Sequence, residues 1–241
     1  MRIAVGLVLS LILASAAAAQ DRIPPGTLIP VSLSRSLNVR KLHSGQRFRA
    51  EIMQNIPGTP IKRRAQVVGH IVSLAPATSG HARLEIAFDA IQSHGQTIPI
   101  KTNLRALASF LEVQEAEDPE EIASRGITPE VATTTQIGGE QVYRGGGPVT
   151  EGDTVVGKPT PWGILGLPRT QPGMPCRGAV DHNDQSQAFW LFSTDACGIY
   201  GFSSLKIEHA GRTDPAGTVV LASNQDKLSL GSGTAMLLRV H

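Results

Sequence analysis

Asp181, His182, Asn183 and Asp184 form the densest local set of polar side chains that could do chemistry, and they lie between the only two cysteines, Cys176 and Cys197. Asp181, Asn183 and Asp184 offer oxygen ligands suited to calcium, but the D-x-D-x-D-G spacing of a calcium loop is missing. Asp and Asn are also the residues that turns require. With Asp195, the same stretch is the place for a hydrolytic site acting on a cell-wall or extracellular substrate. An even cysteine count in an exported chain reads as one disulfide. Bonding Cys176 to Cys197 closes a loop of about 20 residues, worth roughly 3 kcal/mol in the chain-entropy picture. No C-x-x-C spacing is present to lower a thiol pKa, so a structural bridge is expected rather than a redox pair.

Other motifs fail on their surroundings. Gly152-Asp153-Thr154-Val155-Val156-Gly157-Lys158-Pro159 has the spacing of a phosphate loop. Pro159 sits where a Ser or Thr hydroxyl must hold magnesium, and no helical pattern follows. Ser203 and Lys206 have S-x-x-K spacing but lie in a strand-like run, where i and i+3 point to opposite faces. No G-x-S-x-G elbow exists. The seven histidines never form H-x-H or H-E-x-x-H, so no metal site and no cofactor is expected. His70, inside the apolar run Val67–Val72, reads as a core or barrel-interior histidine. Lys62-Arg63-Arg64 reads as a solvated hairpin tip, with acidic headgroups or a partner as the functional alternative. The candidate binding residues are Tyr143, Arg144, Arg177, Asp181, His182 and Asp184.

The elements that must position these residues follow an export signal. Met1-Arg2 is basic, Ile3 to Ala14 is almost wholly apolar, and Ser15 to Ala19 are small, so residues 1–20 read as a cleaved secretory signal peptide. The apolar stretch is shorter than the roughly 20 residues that span a bilayer. No later run is longer, so no stable membrane insertion is expected after cleavage, and the setting is periplasmic or extracellular. Lys plus Arg total 22 against 20 Asp plus Glu, and aromatics are 4%. Neither a basic surface nor stacking platforms are present, which argues against nucleic acid.

Residues 21–104 carry short period-two runs between Gly, Pro and Ser turns. Ile29, Val31 and Leu33 share one face, as do Phe48, Ala50 and Ile52, and Leu84, Ile86 and Phe88. The pattern predicts a mainly β chain, an antiparallel barrel or sandwich. Leu104, Leu107, Ala108 and Leu111 recur at helical spacing after Asn103, predicting one short helix over 103–113 with Asn103 as its N-cap. The acidic run from Glu112 to Glu121 reads as a solvated helix end and loop. Residues 105–201 are then this helix plus a long Gly/Pro-rich, loop-rich insertion, in which strand signals are faint except at Ala188–Phe192. Residues 202–241 return to strands that complete the β domain. Gly233-Thr234-Ala235-Met236-Leu237-Leu238-Arg239-Val240 echoes Gly26-Thr27-Leu28-Ile29-Pro30-Val31, which suits a barrel whose first and last strands pair. Whether the insertion is a separate small domain is left open.

Pro25-Gly26-Thr27-Leu28-Ile29-Pro30, Ser44-Gly45-Gln46, Gln66 to His70 and Arg83 to Phe88 together resemble the opening of the TrbI-like C-terminal β-barrel of conjugal-transfer secretion machines. The resemblance covers residues 25–104 and implies a β-barrel of the cell envelope. Tyr143 to Gly147 and Cys176 to Asp181 are similar to a group of uncharacterised exported bacterial proteins, which implies the same setting. The expected function is that of an exported noncatalytic envelope protein that binds a protein or envelope component through its β scaffold and insertion. The alternative is a periplasmic or extracellular hydrolase near Asp181 and His182.

Overall fold

The computed structural model describes residues 23–75, 81–116, 131–144, 146–160, 163–169, 185–208 and 217–241. It is mainly β. The strands before the chain's middle are β1 (Leu28–Leu33), β2 (Leu37–Asn38), β3 (Arg47–Ile52), β4 (Gln66–Ala75), β5 (Ala82–Ser93), β6 (Gln96–Pro99) and β7 (Thr102–Ala108). One short helix, α1 (Phe110–Glu115), follows. The middle supplies β8 (Val131–Gln136), β9 (Gly139–Arg144), β10 (Val149–Glu151), β11 (Thr154–Thr160), β12 (Gly163–Gly166) and β13 (Gln187–Phe189). The chain ends with β14 (Gly198–Tyr200), β15 (Leu205–Glu208), β16 (Val219–Ser223), β17 (Ser229–Leu230) and β18 (Ala235–Val240).

Ten strands form one curved sheet in the order β14-β7-β18-β1-β3-β4-β5-β16-β15, with β6 paired to β5. It curls into a half-barrel around an apolar core. The period-two pattern decides which side chains enter it: Ile29, Val31 and Leu33 of β1, Leu84, Ile86 and Phe88 of β5, and Met236, Leu238 and Val240 of β18 all pack there. First and last strands do pair, antiparallel, with Leu28 opposite Arg239 and Val31 opposite Met236. Phe48 meets Phe88 edge to face, 5.3 Å between ring centroids, an arrangement worth about 0.5–1.5 kcal/mol beyond area burial. Gly69 lies opposite Phe48. A Cβ there would stand 2.5 Å from Phe48 Cζ, so the aromatic ring occupies the space that a side chain would take.

The expected helix over 103–113 is corrected. Residues 102–108 are β7, all seven buried, and α1 begins only at Phe110, capped by Ser109, whose hydroxyl accepts from the Glu112 amide at 3.4 Å. Two features made a strand look helical. Both faces of β7 are covered, so polar alternation is absent. The register also slips, from Leu237 opposite Ala106 to Leu238 opposite Leu104, leaving Arg105 as an extra residue. That bulge puts Leu104 and Leu107, three apart, on the same face. His70 is corrected too. Gly69 and Ile71 face inward, so His70 faces outward and its Nδ1 lies 2.9 Å from Asp89 Oδ1.

The middle of the chain is more ordered than its composition suggests. Six strands form a second sheet in the order β13-β12-β11-β10-β9-β8. Gly152-Asp153 is the two-residue turn joining β10 to β11, with Gly152 at φ 55°, so the phosphate-loop spacing belongs to a hairpin. No helix among the described residues is long and apolar enough to cross a membrane.

Candidate functional site

The second sheet covers part of the outer face of β7, β18 and β1. Leu28, Ala106, Ala108, Ala235 and Leu237 of the half-barrel pack there against Ile137, Phe189, Phe192 and Ala196. Polar side chains stitch the layers together. Gln54 Nε2 donates to the Ala188 carbonyl at 2.7 Å. Gln187 accepts from the Leu28 amide at 2.6 Å and donates to the Gly26 carbonyl at 3.1 Å.

The bulge in β7 supplies the largest of these contacts. Arg105 is fully buried, and its guanidinium donates to the carbonyls of Ala196 at 2.9 Å and Thr194 at 3.4 Å, and to that of Arg169. An extra residue in a strand re-aims its side chain, which is how a cation on an otherwise apolar strand reaches the joint. Around it sit Glu151, Ser193, Asp195 and Tyr200. Ser193 Oγ donates to Asp195 Oδ1 at 2.8 Å. The Tyr200 hydroxyl accepts from the Cys197 amide at 2.9 Å and donates to the Cys197 carbonyl at 3.1 Å. Glu151 pairs with Arg169 and is also hydrogen-bonded to Asp195. Burial, and next the Asp195 carboxylate, push the Glu151 carboxyl above its usual range, outweighing Arg169. Burial raises the Tyr200 hydroxyl as well. The cluster is tight: a Cβ on Gly138 would stand 2.8 Å from the Tyr200 hydroxyl and 2.9 Å from Ser193 Oγ. A close carboxyl pair, here a buried Asp195 and a half-buried Glu151, is a feature that hydrolases use for proton transfer, but this one is filled by its own neighbours.

Open space lies elsewhere, where the second sheet stops short. A groove of about 400 Å³ runs over the outer face of the half-barrel, lined by Ser32 and Ser34, Glu51, Met53, Arg63 and Ser232 among others. Its floor is the directly opposed pair Ser32 and Glu51 on β1 and β3. One wall is a turn closed by the Ala65 amide donating to the Lys62 carbonyl at 3.1 Å. Arg64, the third residue of that turn, holds φ 70°, a left-handed position that favours glycine. The loop carrying it is anchored by Ile56 and Ile61, both buried in the half-barrel core. Arg63 lies over the Trp190 ring, 5.2 Å from its centroid, so the second sheet's end steadies the groove wall. Across the groove, the Phe110 ring packs against Gly233 and is 48% exposed.

Comparison of the chain with protein-family models, curated proteins and solved structures finds no match to any of them. Site and function therefore rest on geometry.

Of the sequence-derived candidates, Cys176, Arg177, Asp181, His182 and Asp184 lie outside the described residues. Tyr143 and Arg144 are in β9, opposite Ala132 and Val131 of β8. Cys197 is buried, and no cysteine among the described residues is free. No group of three or more metal-ligating side chains occurs among the described residues. Lys206 of the S-x-x-K spacing is in strand β15. Sequence reasoning missed Arg105, Glu151, Gln54, Gln187 and the groove. The one signal available was a charged residue, Arg105, inside an apolar run; the groove's serines and its cross-groove neighbours come from separate parts of the chain and leave no local mark.

Proposed function

We propose that this is an exported, noncatalytic protein of the cell envelope, periplasmic or extracellular, that binds another envelope protein or component through its β scaffold and the inserted second sheet. The observation that carries the reading is the groove: a concave, accessible surface on a rigid half-barrel, with one wall braced by Trp190 of the insertion. Its volume falls in the range of binding clefts. Within the same reading the half-barrel is the scaffold of a β-barrel fold, and Cys176 and Cys197 form a disulfide that pins the end of the insertion. Thiol titration of protein from an oxidising compartment should find no reactive cysteine, and two free thiols would remove the bridge.

Mild cross-linking and affinity recovery of the tagged protein from its host's envelope fraction tests the function. One dominant partner recovered in near-equal amount, cross-linked at the groove, is the expected result. A panel of peptidase, esterase and glycosidase substrates tests the second reading, a hydrolase, which the Glu151–Asp195 carboxyl pair favours. Turnover abolished by Asp195→Asn or His182→Ala would replace the binding reading with that one.

A further inference from the structure

Resting on the binding reading above, we infer that the groove takes an acidic, extended peptide segment of a partner protein. Its two rims differ in chemistry. Lys62, Arg63 and Arg64 stand exposed in succession on one side, and Glu51 is the single carboxylate in the groove lining. Within the lining Arg63 faces one anion, Glu51, and the exposed Lys62 and Arg64 that flank Arg63 add the excess charge that gives this wall a positive field, which attracts carboxylates and repels basic chains. The opposite rim offers the exposed ring of Phe110 beside Gly233, a surface for an aliphatic side chain. Between the rims, the hydroxyls of Ser32 and Ser34 can hydrogen-bond a main chain laid across the strand ends, while that of Ser232 donates to the Ser34 carbonyl at 3.2 Å and is left to accept.

The backbone of the basic wall supports the assignment independently. Arg64 occupies a left-handed position where glycine is the unstrained choice. Strain of this kind is found where a side chain is held for a purpose. The Arg64 amide donates to the Ile52 carbonyl at 2.8 Å and the Arg63 amide to Asn55 Oδ1 at 3.0 Å. Arg63 is further held over Trp190. A guanidinium fixed in advance loses less freedom when it grips a carboxylate.

The test is an NMR titration of the full mature chain with two blocked tetrapeptides, Glu-Leu-Glu-Glu and Lys-Leu-Lys-Lys. The acidic peptide should shift the amides of Ser32, Ser34 and Gly233 and the indole of Trp190, with salt-dependent affinity. The basic peptide should leave them in place. Arg63→Glu should weaken the acidic peptide about tenfold. Arg64→Gly relieves the turn while deleting one charge, so it keeps the fold and should weaken binding about threefold. Absent shifts, equal shifts with the basic peptide, or unchanged affinity in Arg64→Gly would overturn the assignment. Shifts produced by vesicles of anionic lipid but not by the acidic peptide would overturn it in favour of a membrane surface. If the peptides fail while an envelope partner is still recovered, only the groove assignment falls; if no partner is recovered, the broader reading falls.

Discussion

Around Leu84, Ile86 and Phe88 the half-barrel buries aliphatic and aromatic side chains contributed by almost every strand. The second sheet buries Thr134, Gln136 and Gln141, and among the described residues its own apolar cluster is Val149, Val156 and Ile164. The first region holds itself together by burying apolar area. The second depends on what it leans against, namely the outer face of β7, β18 and β1 and the side chains that cross to it. Apolar burial is non-directional and tolerates repacking. The joint between the layers is directional and fails when one partner is removed. The difference predicts where the molecule opens first: the second sheet should exchange its amide hydrogens before the half-barrel does.

The largest expected effect comes from breaking that joint. Arg105→Ala leaves the carbonyls of Ala196, Thr194 and Arg169 without their buried donor. Each buried acceptor left unpaired costs about 1–3 kcal/mol, so a total of about 3–5 kcal/mol is expected. Hydrogen exchange should show the loss concentrated in β8 to β13, with β3, β4 and β5 still protected. Uniform loss across both sheets would mean that the two regions unfold as one unit. Leu84→Ala is the reciprocal experiment. It opens a cavity in the fully buried core of the half-barrel and should cost about 2–5 kcal/mol. Here the second sheet should lose protection with the first, because its support is gone.

That asymmetry also explains what could be read from sequence. Strands of the half-barrel were legible because one face is apolar and the other polar, so Ile29, Val31 and Leu33, or Leu84, Ile86 and Phe88, announce both strand and facing. β7 was misread because it is covered on both sides and carries a bulge; the spacing of Leu104 and Leu107 is what a helix would also give. The second sheet was faint because its buried positions include Thr and Gln, which look exposed in any hydropathy pattern. The joint was invisible for another reason. Arg105, Glu151 and Asp195 are distant in sequence, and only the packing of one sheet on another gives them a common environment. The disulfide, the envelope setting and the candidates between Arg177 and Asp184 remain expectations of the sequence alone.

A pH experiment sharpens the comparison further, since the joint holds the half-buried Glu151 carboxyl beside Asp195 and the half-barrel core is apolar. The Glu151 carboxyl is raised above its ordinary value of 4.5, chiefly by burial and then by Asp195. The folded protein therefore binds this proton more tightly than the unfolded chain does. Its contribution to stability is fully present below the ordinary glutamate range and is lost as pH rises through the raised value. Most carboxylates in ion pairs act in the opposite direction. Glu151→Gln should remove this component: denaturant midpoints for the variant and the native protein should differ most at high pH, with the variant the more stable, and should converge toward acid. A variant less stable than the native protein at high pH, with that gap closing toward acid, would show that Arg169, not burial and Asp195, governs the site.

The smallest effect concerns the turn at the groove, and its sign matters more than its size. Arg64→Gly removes a left-handed arginine from a turn position that glycine fills without strain. Glycine also loosens the unfolded chain, which opposes part of the gain. Relief of a strained φ is worth about 1–3 kcal/mol, so a net stabilisation of about 0.5–1 kcal/mol is expected from denaturant unfolding at neutral pH. The side chain is exposed, and its amide keeps the bond to the Ile52 carbonyl in the variant. A more stable protein with a weaker hold on the acidic tetrapeptide would mean that the groove wall carries its arginine at the expense of stability. A destabilised variant would mean instead that the arginine is a structural part of the turn, and the left-handed backbone would then say nothing about binding.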